Sequence, residues 1–157
     1  MPLLKNSPNE FNTIDLTSLK DFQLWKNTNG STFELKDYYY NTKPEQVIAL
    51  ATFFCPEFIE HEDLIFFKDR FNIDNFNNWK KELSDRQKIQ STINHIHLAD
   101  IFLNLGVISF RNIVFLAQKL IYMWKLQLED KYPNLKFSVE TKSDEDGDFI
   151  IYFFQNN

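Results

Sequence analysis

The sequence contains one cysteine, three glycines and three histidines, and this scarcity excludes several familiar kinds of site. Cys55 has no partner for an intramolecular disulfide, and its apolar neighbours in "FFCPEF" predict a buried thiol. Gly30, Gly106 and Gly147 each stand alone, so neither a Walker loop nor a dinucleotide-binding fingerprint can be written. The motifs GxSxG, CxxC and HExxH are also missing. We therefore predict no cofactor site and assign no catalytic residue.

Positive charge and long apolar runs are scarce as well. The formal net charge is −5 and the isoelectric point is about 5.2, so no basic field is available to bind phosphates, and nucleic acid is not an expected partner. The longest apolar run, in "VIALATFFC", is far shorter than the ~20 residues that span a membrane. The first residues, "MPLLKNSPNEF", lack an apolar segment of signal-peptide length. We expect a cytoplasmic protein that does not bind membranes. Its acidic net charge suits a basic protein partner.

Aromatic residues, in contrast, are abundant. They make up 17% of the 157 residues and include seventeen phenylalanines, enough to fill a core without disulfides. A chain of this length fits a single domain over residues 1–157. Within it, residues 1–42 are an N-terminal segment of uncertain structure, because "TSLKDFQLWKNTNG" fits a short helix ending near Gly30 as well as one arm of a hairpin.

Downstream the pattern of apolar residues is clearer. Pro44 suits the first turn of a helix, and Pro56 predicts the end of that helix. The run 64–67 favours a strand, and "NIDNFNNWKKEL" favours a short helix. A capping-box pattern at Ser84 predicts a helix that reaches about Leu105.

The C-terminal third predicts a long helix followed by a hairpin. Ser109 caps a helical pattern that Pro133 ends. Apolar and polar residues alternate in "KFSVETK", whereas "DFIIYFFQ" is apolar on both faces and is expected in the interior of a sheet. The chain is therefore predicted to be α+β, with several helices packed on a small antiparallel sheet that includes the C-terminal β-hairpin.

The stretch "STINHIHLADIF", residues 91–102, holds the one pattern that suggests chemistry. Residues two apart on a helix diverge by about 200°, so the predicted helix turns His95 and His97 away from each other and excludes a shared metal ion. His97 and Asp100 lie three apart and can touch. They form either a structural polar pair or half of the catalytic arrangement of a small hydrolase or metal-dependent enzyme. The lack of a nucleophile motif favours the structural pair.

Two acidic clusters and a tyrosine run are candidate partner-binding surfaces, although solvated surface is the simpler interpretation of the clusters. Asp at alternate positions is also typical of a calcium loop, but Phe149 and Gln155 stand where an EF-hand needs Gly and Glu, so no metal is predicted. The tyrosines fit interface anchors or the edge of a core. These residues are Glu57, Glu60, Glu62 and Asp63; Asp144, Glu145, Asp146 and Asp148; and Tyr38, Tyr39 and Tyr40.

Two blocks, "CPEFIEHEDLIFFKDRFNIDNFNNWKKELSDRQKIQSTINHIHLADIF" and "YMWKLQLEDKYPNLKFSVETKSDEDGDFIIYFFQ", resemble small, uncharacterised bacterial proteins over about residues 43–155. Proteins of this build are similar to immunity proteins of bacterial toxin systems, including contact-dependent growth inhibition. The resemblance implies a non-enzymatic protein that neutralises a cognate toxin, and it transfers no functional residue.

The leading hypothesis is therefore a non-enzymatic cytoplasmic binding protein, an immunity protein whose acidic clusters steer a basic toxin domain such as a nuclease and whose tyrosines anchor it. The competing hypotheses are the enzyme based on His97 and Asp100, and a regulatory or structural subunit of a larger complex. The sequence does not specify the partner, the surface that binds it or the oligomeric state.

Overall fold

The computed structural model describes residues 13–40, 42–101, 108–143 and 148–156. A short 3-10 turn, Leu16–Ser18, precedes the first helix. The helices in these ranges are α1 Lys20–Asn29, α2 Leu35–Tyr39, α3 Pro44–Phe54, α4 Ile73–Glu82, α5 Arg86–Ile93, α6 Leu98–Ile101 and α7 Phe110–Lys131. The strands are β1 Phe58–His61, β2 Leu64–Phe67, β3 His95–His97, β4 Phe137–Ser143 and β5 Phe149–Gln155. The fold is the predicted α+β class.

Most helix boundaries follow signals that the sequence carries. Pro44 occupies the first turn of α3, and α3 ends before Pro56. Ser109 caps α7, because its hydroxyl accepts a hydrogen bond from the backbone N–H of Asn112. The N-terminal choice between helix and hairpin resolves to helix α1. This helix is followed by Gly30, whose φ of 94° lies in the left-handed region that favours glycine.

The helix predicted from Ser84 to about Leu105 is wrong. Helix α5 ends at Ile93, and β3 then pairs antiparallel with β5, with Ile96 opposite Ile151. The apolar spacing of this stretch fits a helix. The buried strand β5, however, requires hydrogen bonds on both of its edges, and this requirement outweighs local spacing. Residues 102–107, which include Leu105 and Gly106, lie outside the described ranges.

Strand β5 is the central strand of an antiparallel sheet with the order β3-β5-β4. Strands β4 and β5 form the predicted C-terminal hairpin, in which Phe137 lies opposite Gln155 and Ser143 lies opposite Phe149. The interior position predicted for the second strand is therefore confirmed. Strands β1 and β2 form a separate two-stranded hairpin.

The main core lies between α7 and these two sheets. One face of α7 is buried through Ala117, Leu120, Trp124 and Leu128. The Trp124 ring packs edge-on against Phe67, with 4.9 Å between the ring centroids. Phe67 in turn lies 4.9 Å from Phe153, also edge-on. Phenylalanines from β2 and β5 thus fill the space beneath α7, as the composition predicts.

Three amide side chains join the two sheets along the outer edge of β2, which pairs with no strand among the described residues. The Ile65 N–H donates to Gln155 Oε1 at 2.8 Å. The Phe67 N–H donates to Asn94 Oδ1 at 3.1 Å. The Ile65 carbonyl accepts from Gln90 Nε2 at 2.8 Å and from Asn94 Nδ2 at 2.9 Å. We call Gln90, Asn94 and Gln155 the amide clasp, because they replace the missing strand as partners of the β2 backbone.

The N-terminal turn is held against the start of α7 by a buried asparagine. Asn112 is 3% exposed. Its Nδ2 donates to the Asp15 carbonyl at 2.8 Å and to Ser18 Oγ at 2.9 Å. Its Oδ1 accepts from the Asp15 N–H at 2.8 Å. This contact fixes the position from which α1 begins.

Candidate functional site

Helices α1 and α3 and the segment between them enclose a surface groove of about 550 Å³. The groove is lined by Trp25, Tyr38, Thr42, Gln46, Ala49 and Leu50, which we call the aromatic groove. Most of this lining is apolar or aromatic, while Thr42 and Gln46 supply polar groups. A concave apolar lining with a few polar groups is typical of a binding site.

The floor of the aromatic groove is a set of packed rings. Phe22 is 2% exposed. The Phe22 ring centroid lies 5.8 Å from Phe33 and 6.3 Å from Tyr38. Trp25 stacks on Phe33 at 6.4 Å. Trp25 and Tyr38 are therefore supported from beneath, so they present a preformed surface.

The sequence leaves open whether the tyrosine run supplies interface anchors or the edge of a core, and the three tyrosines differ in this respect. Tyr38 is half-buried and lines the groove. Tyr39 and Tyr40 are 58% and 78% exposed, and their ring centroids lie 5.0 Å apart. Tyr39 and Tyr40 thus have the exposure that an interface anchor requires, whereas Tyr38 belongs to the wall of the groove.

Helix α3 forms at the predicted place, but no residue of α3 is buried. Val47, Ile48 and Leu50 are 52%, 65% and 44% exposed. Val47 and Leu50 are three apart and share one side of the helix, and we call this pair the α3 face, whereas Ile48 lies on another side. The helix is attached near its C-terminus, where the carbonyl of Phe53 accepts from Trp124 Nε1 at 3.1 Å. The α3 face therefore extends the aromatic groove into a larger apolar surface.

Trp25 and the α3 face are parts of this surface that the sequence analysis does not single out. The sequence carries one sign of the exposed residues on α3. "VIALATFF" is apolar around most of the helix, and a single buried stripe cannot bury all of those residues. Cys55 follows the same helix and is exposed, so the predicted burial of its thiol is wrong. Helix α3 ends at Phe54, and Cys55 follows it at the surface before the chain enters the core at Phe58.

Two of the four carboxylates in the first acidic cluster are compensated by basic side chains. Glu57 accepts a 2.6 Å hydrogen bond from Lys68, and Glu62 accepts one of 2.5 Å from Lys80. Each lysine holds the pKa of its carboxyl partner below the usual range. Glu60 and Asp63 are exposed. The cluster therefore presents less uncompensated negative charge than its four carboxylates suggest.

The second acidic cluster is described only at Asp148, since Asp144, Glu145 and Asp146 lie outside the described ranges. The Asp148 carboxylate accepts from the Ala99 N–H at 3.1 Å and lies 2.7 Å from Nδ1 of His97. Asp148 thus ties the start of β5 to the end of β3 and is not simply part of a solvated tip.

The histidine stretch differs from its predicted arrangement. On β3, His95 and His97 lie on one face, and their ring centroids are 5.2 Å apart, so the expected divergence is wrong. His97 is hydrogen-bonded to Asp148 and not to Asp100, which lies exposed on α6. Helical spacing favours Asp100, and the sequence gives no sign that a carboxylate 51 positions from His97 takes its place.

Within the described ranges, no group of three or more His, Cys, Asp or Glu side chains is placed to hold a metal ion. None of the described helices combines the length and the apolar character needed to cross a membrane. No protein-family model matches the sequence, and no curated protein or solved structure shows significant similarity to it. The relation to toxin-immunity proteins accordingly stays a prediction.

Proposed function

We propose that this protein is a non-enzymatic cytoplasmic binding protein, an immunity protein that neutralises a cognate bacterial toxin by direct contact. The observation that supports the proposal most is the exposed apolar surface formed by the aromatic groove and the α3 face. Contiguous exposed apolar surface of this kind is typical of protein–protein interaction sites.

Binding would draw its free energy from burial of this surface. Fully burying one large apolar side chain is worth about 1.5–3 kcal/mol. Tyr39, Tyr40 and Val47 are each more than half exposed, so most of that gain is still available to a partner. The supported rings of Trp25 and Tyr38 would receive a partner side chain without reorganising. Rigid aromatic anchors near the centre of an interface carry most of its affinity.

Charge would act mainly on the approach of the partner. The chain carries a net charge of −5, which attracts a basic toxin domain such as a nuclease over a distance. Glu60 and Asp63 form no ion pair within the described part of the chain, so they contribute to this field in full. Glu57 and Glu62 contribute less, because Lys68 and Lys80 neutralise them.

A growth-protection experiment tests the proposal. The toxin domain encoded by the adjacent reading frame is expressed in cells together with this protein, and survival is measured. We expect the wild-type protein to protect, and we expect protection by the double variant Tyr40→Ala/Val47→Ala to be weaker by at least about tenfold. The matched control is Tyr122→Ala, which removes a tyrosine that is 62% exposed on α7, outside the groove. Absence of protection by the wild-type protein would refute the immunity role.

A second candidate function, a small hydrolase or metal-dependent enzyme, is favoured by one observation. The Asp148 carboxylate holds Nδ1 of His97, and this leaves Nε2 to exchange a proton with a substrate. Asp148 thereby takes the place that the sequence assigns to Asp100. Hydrolysis of ester and phosphoester probes, with metal analysis, is compared between the wild-type protein and His97→Gln. An activity that His97→Gln abolishes without loss of stability supports this candidate; no metal and no activity in either protein excludes it.

A further inference from the structure

Strand β4 has an outer edge with no hydrogen-bonded partner in the described part of the chain. The Asn156 N–H donates to the Lys136 carbonyl at 2.8 Å. The backbone N–H and C=O groups of the even-numbered residues of β4 therefore point towards β5. The backbone groups of Val139, Thr141 and Ser143 therefore point away from the sheet. A row of unpaired N–H and C=O groups is a template for another strand.

The other sheet edges in the described ranges are closed or shorter. The amide clasp occupies the outer edge of β2. On β1, the carbonyl of Phe58 accepts from Lys131 Nζ at 3.3 Å. Strand β3 offers three residues, whereas β4 offers seven. The edge of β4 is therefore the one best able to add a strand.

We propose that β4 pairs antiparallel with β4 of a second copy of the chain, across a two-fold axis at Thr141. The two three-stranded sheets then become one continuous sheet through the dimer. In this register Thr141 lies opposite Thr141 of the second copy, and Val139 lies opposite Ser143. All of these residues direct their backbone groups outward, so each facing pair exchanges two backbone hydrogen bonds.

The charges on β4 favour this register over those with the axis at Glu140 or at Val139. Glu140 and Lys142 are exposed on the same face of the strand. With the axis at Thr141, Glu140 lies opposite Lys142 of the second copy, and the symmetry repeats this pair. An axis at Glu140 would bring two glutamates together, and an axis at Val139 would place Lys142 opposite Lys136. Opposite charges directly across an antiparallel pair are favourable and like charges are unfavourable.

The side chains that form these ion pairs are already positioned in a single chain. The Tyr152 hydroxyl donates to Glu140 Oε2 at 3.0 Å. The ammonium of Lys142 lies 5.7 Å from the centroid of the Tyr152 ring. Both charges are therefore held along the strand by one ring on β5, so little side-chain freedom is lost when the second copy binds.

Sedimentation and light scattering of the purified chain at about 100 µM test this proposal. We expect a mass twice the 18.8 kDa of one chain. Thr141→Pro, which removes an outward N–H, is expected to give a monomer, and its matched control Thr141→Val to remain a dimer. Circular dichroism establishes that each variant is folded.

A charge-swap set tests the register independently of the proline variant, including the case in which Thr141→Pro fails to fold. Glu140→Lys and Lys142→Glu each place like charges opposite one another, so each is expected to weaken dimerisation by about tenfold or more. The double variant Glu140→Lys/Lys142→Glu restores the pairing and should return the dissociation constant to near the wild-type value. A monomeric wild-type protein, a folded Thr141→Pro variant that stays dimeric, or single charge variants with no effect would each overturn the proposal.

Discussion

Asn94 is fully buried, and its amide is hydrogen-bonded to the backbone of β2 through both Oδ1 and Nδ2. Its own carbonyl accepts from the Phe153 N–H of β5 at 3.3 Å. One residue therefore links the two sheets at the point where α5 gives way to β3. A buried asparagine is stable here because each of its polar groups has a partner.

Replacing this asparagine should destabilise the fold strongly. In Asn94→Ala, the Phe67 N–H loses its partner, and the Ile65 carbonyl keeps only Gln90. An unsatisfied buried polar group costs about 1–3 kcal/mol, so we expect the free energy of unfolding to fall by about that amount. Urea denaturation measures it, with Asn78→Ala on the exposed surface of α4 as the matched control. Equal stability of the two variants would contradict the role of the amide clasp.

Residues of this kind mark the limit of what the sequence can predict. The buried aliphatic positions of α7 follow from their spacing, because a helix has one period and one inward face. The partners of Asn94 and His97 do not, because they lie on β2 and immediately before β5, far away in the chain. Local spacing suggested Asp100 for His97, and only the pairing of β3 with β5 reveals Asp148.

Asp15 lies in the N-terminal turn that packs against the start of α7, and its carboxylate stabilises that turn. The Asp15 carboxylate accepts hydrogen bonds from the backbone N–H and the hydroxyl of Thr17. The hydrogen bond from the Thr17 side chain, with a smaller contribution from Ser109, lowers the pKa of Asp15 from 3.8 to about 2. The charged carboxylate is therefore favoured in the folded turn.

This pKa shift predicts a pH dependence of known sign. Since the folded-state pKa lies below the unfolded value, the contribution of Asp15 is complete above pH 3.8 and is lost as the pH falls through about 2. Thermal unfolding of the wild-type protein and of Asp15→Asn is compared over that range. The difference in melting temperature should shrink as the pH falls, because the Asp15 carboxyl then becomes neutral, as the asparagine side chain is at every pH. A difference that stays constant with pH would contradict the assignment.

At the scale of elements, the sequence predicts where helices and strands occur better than which faces they bury. Pro44 and Pro56 define α3, yet the apolar residues of its α3 face are exposed instead of packed. The hairpin of β4 and β5 follows from the alternation in "KFSVETK" and the apolar run in "DFIIYFFQ". The three-residue strand β3 does not, because its strand character comes from pairing with β5.

Across the whole molecule, the predicted α+β architecture is confirmed, and the partner-binding role stays a prediction. The acidic residues chosen from the sequence include two, Glu57 and Glu62, that are paired with lysines. The structure adds an apolar surface that composition cannot locate, since surface and core draw on the same residue types. Net charge describes how a partner approaches; the aromatic groove and the α3 face describe where it would bind.

The most direct test of this account is a calorimetric titration, in which the toxin domain encoded by the adjacent reading frame is added to the purified protein. The account predicts saturable binding by the wild-type protein, a dissociation constant raised about tenfold or more in Tyr40→Ala/Val47→Ala, and an unchanged value in Tyr122→Ala. Equal affinities for all three proteins would show that a toxin binds elsewhere. No binding by the folded wild-type protein would contradict the central claim.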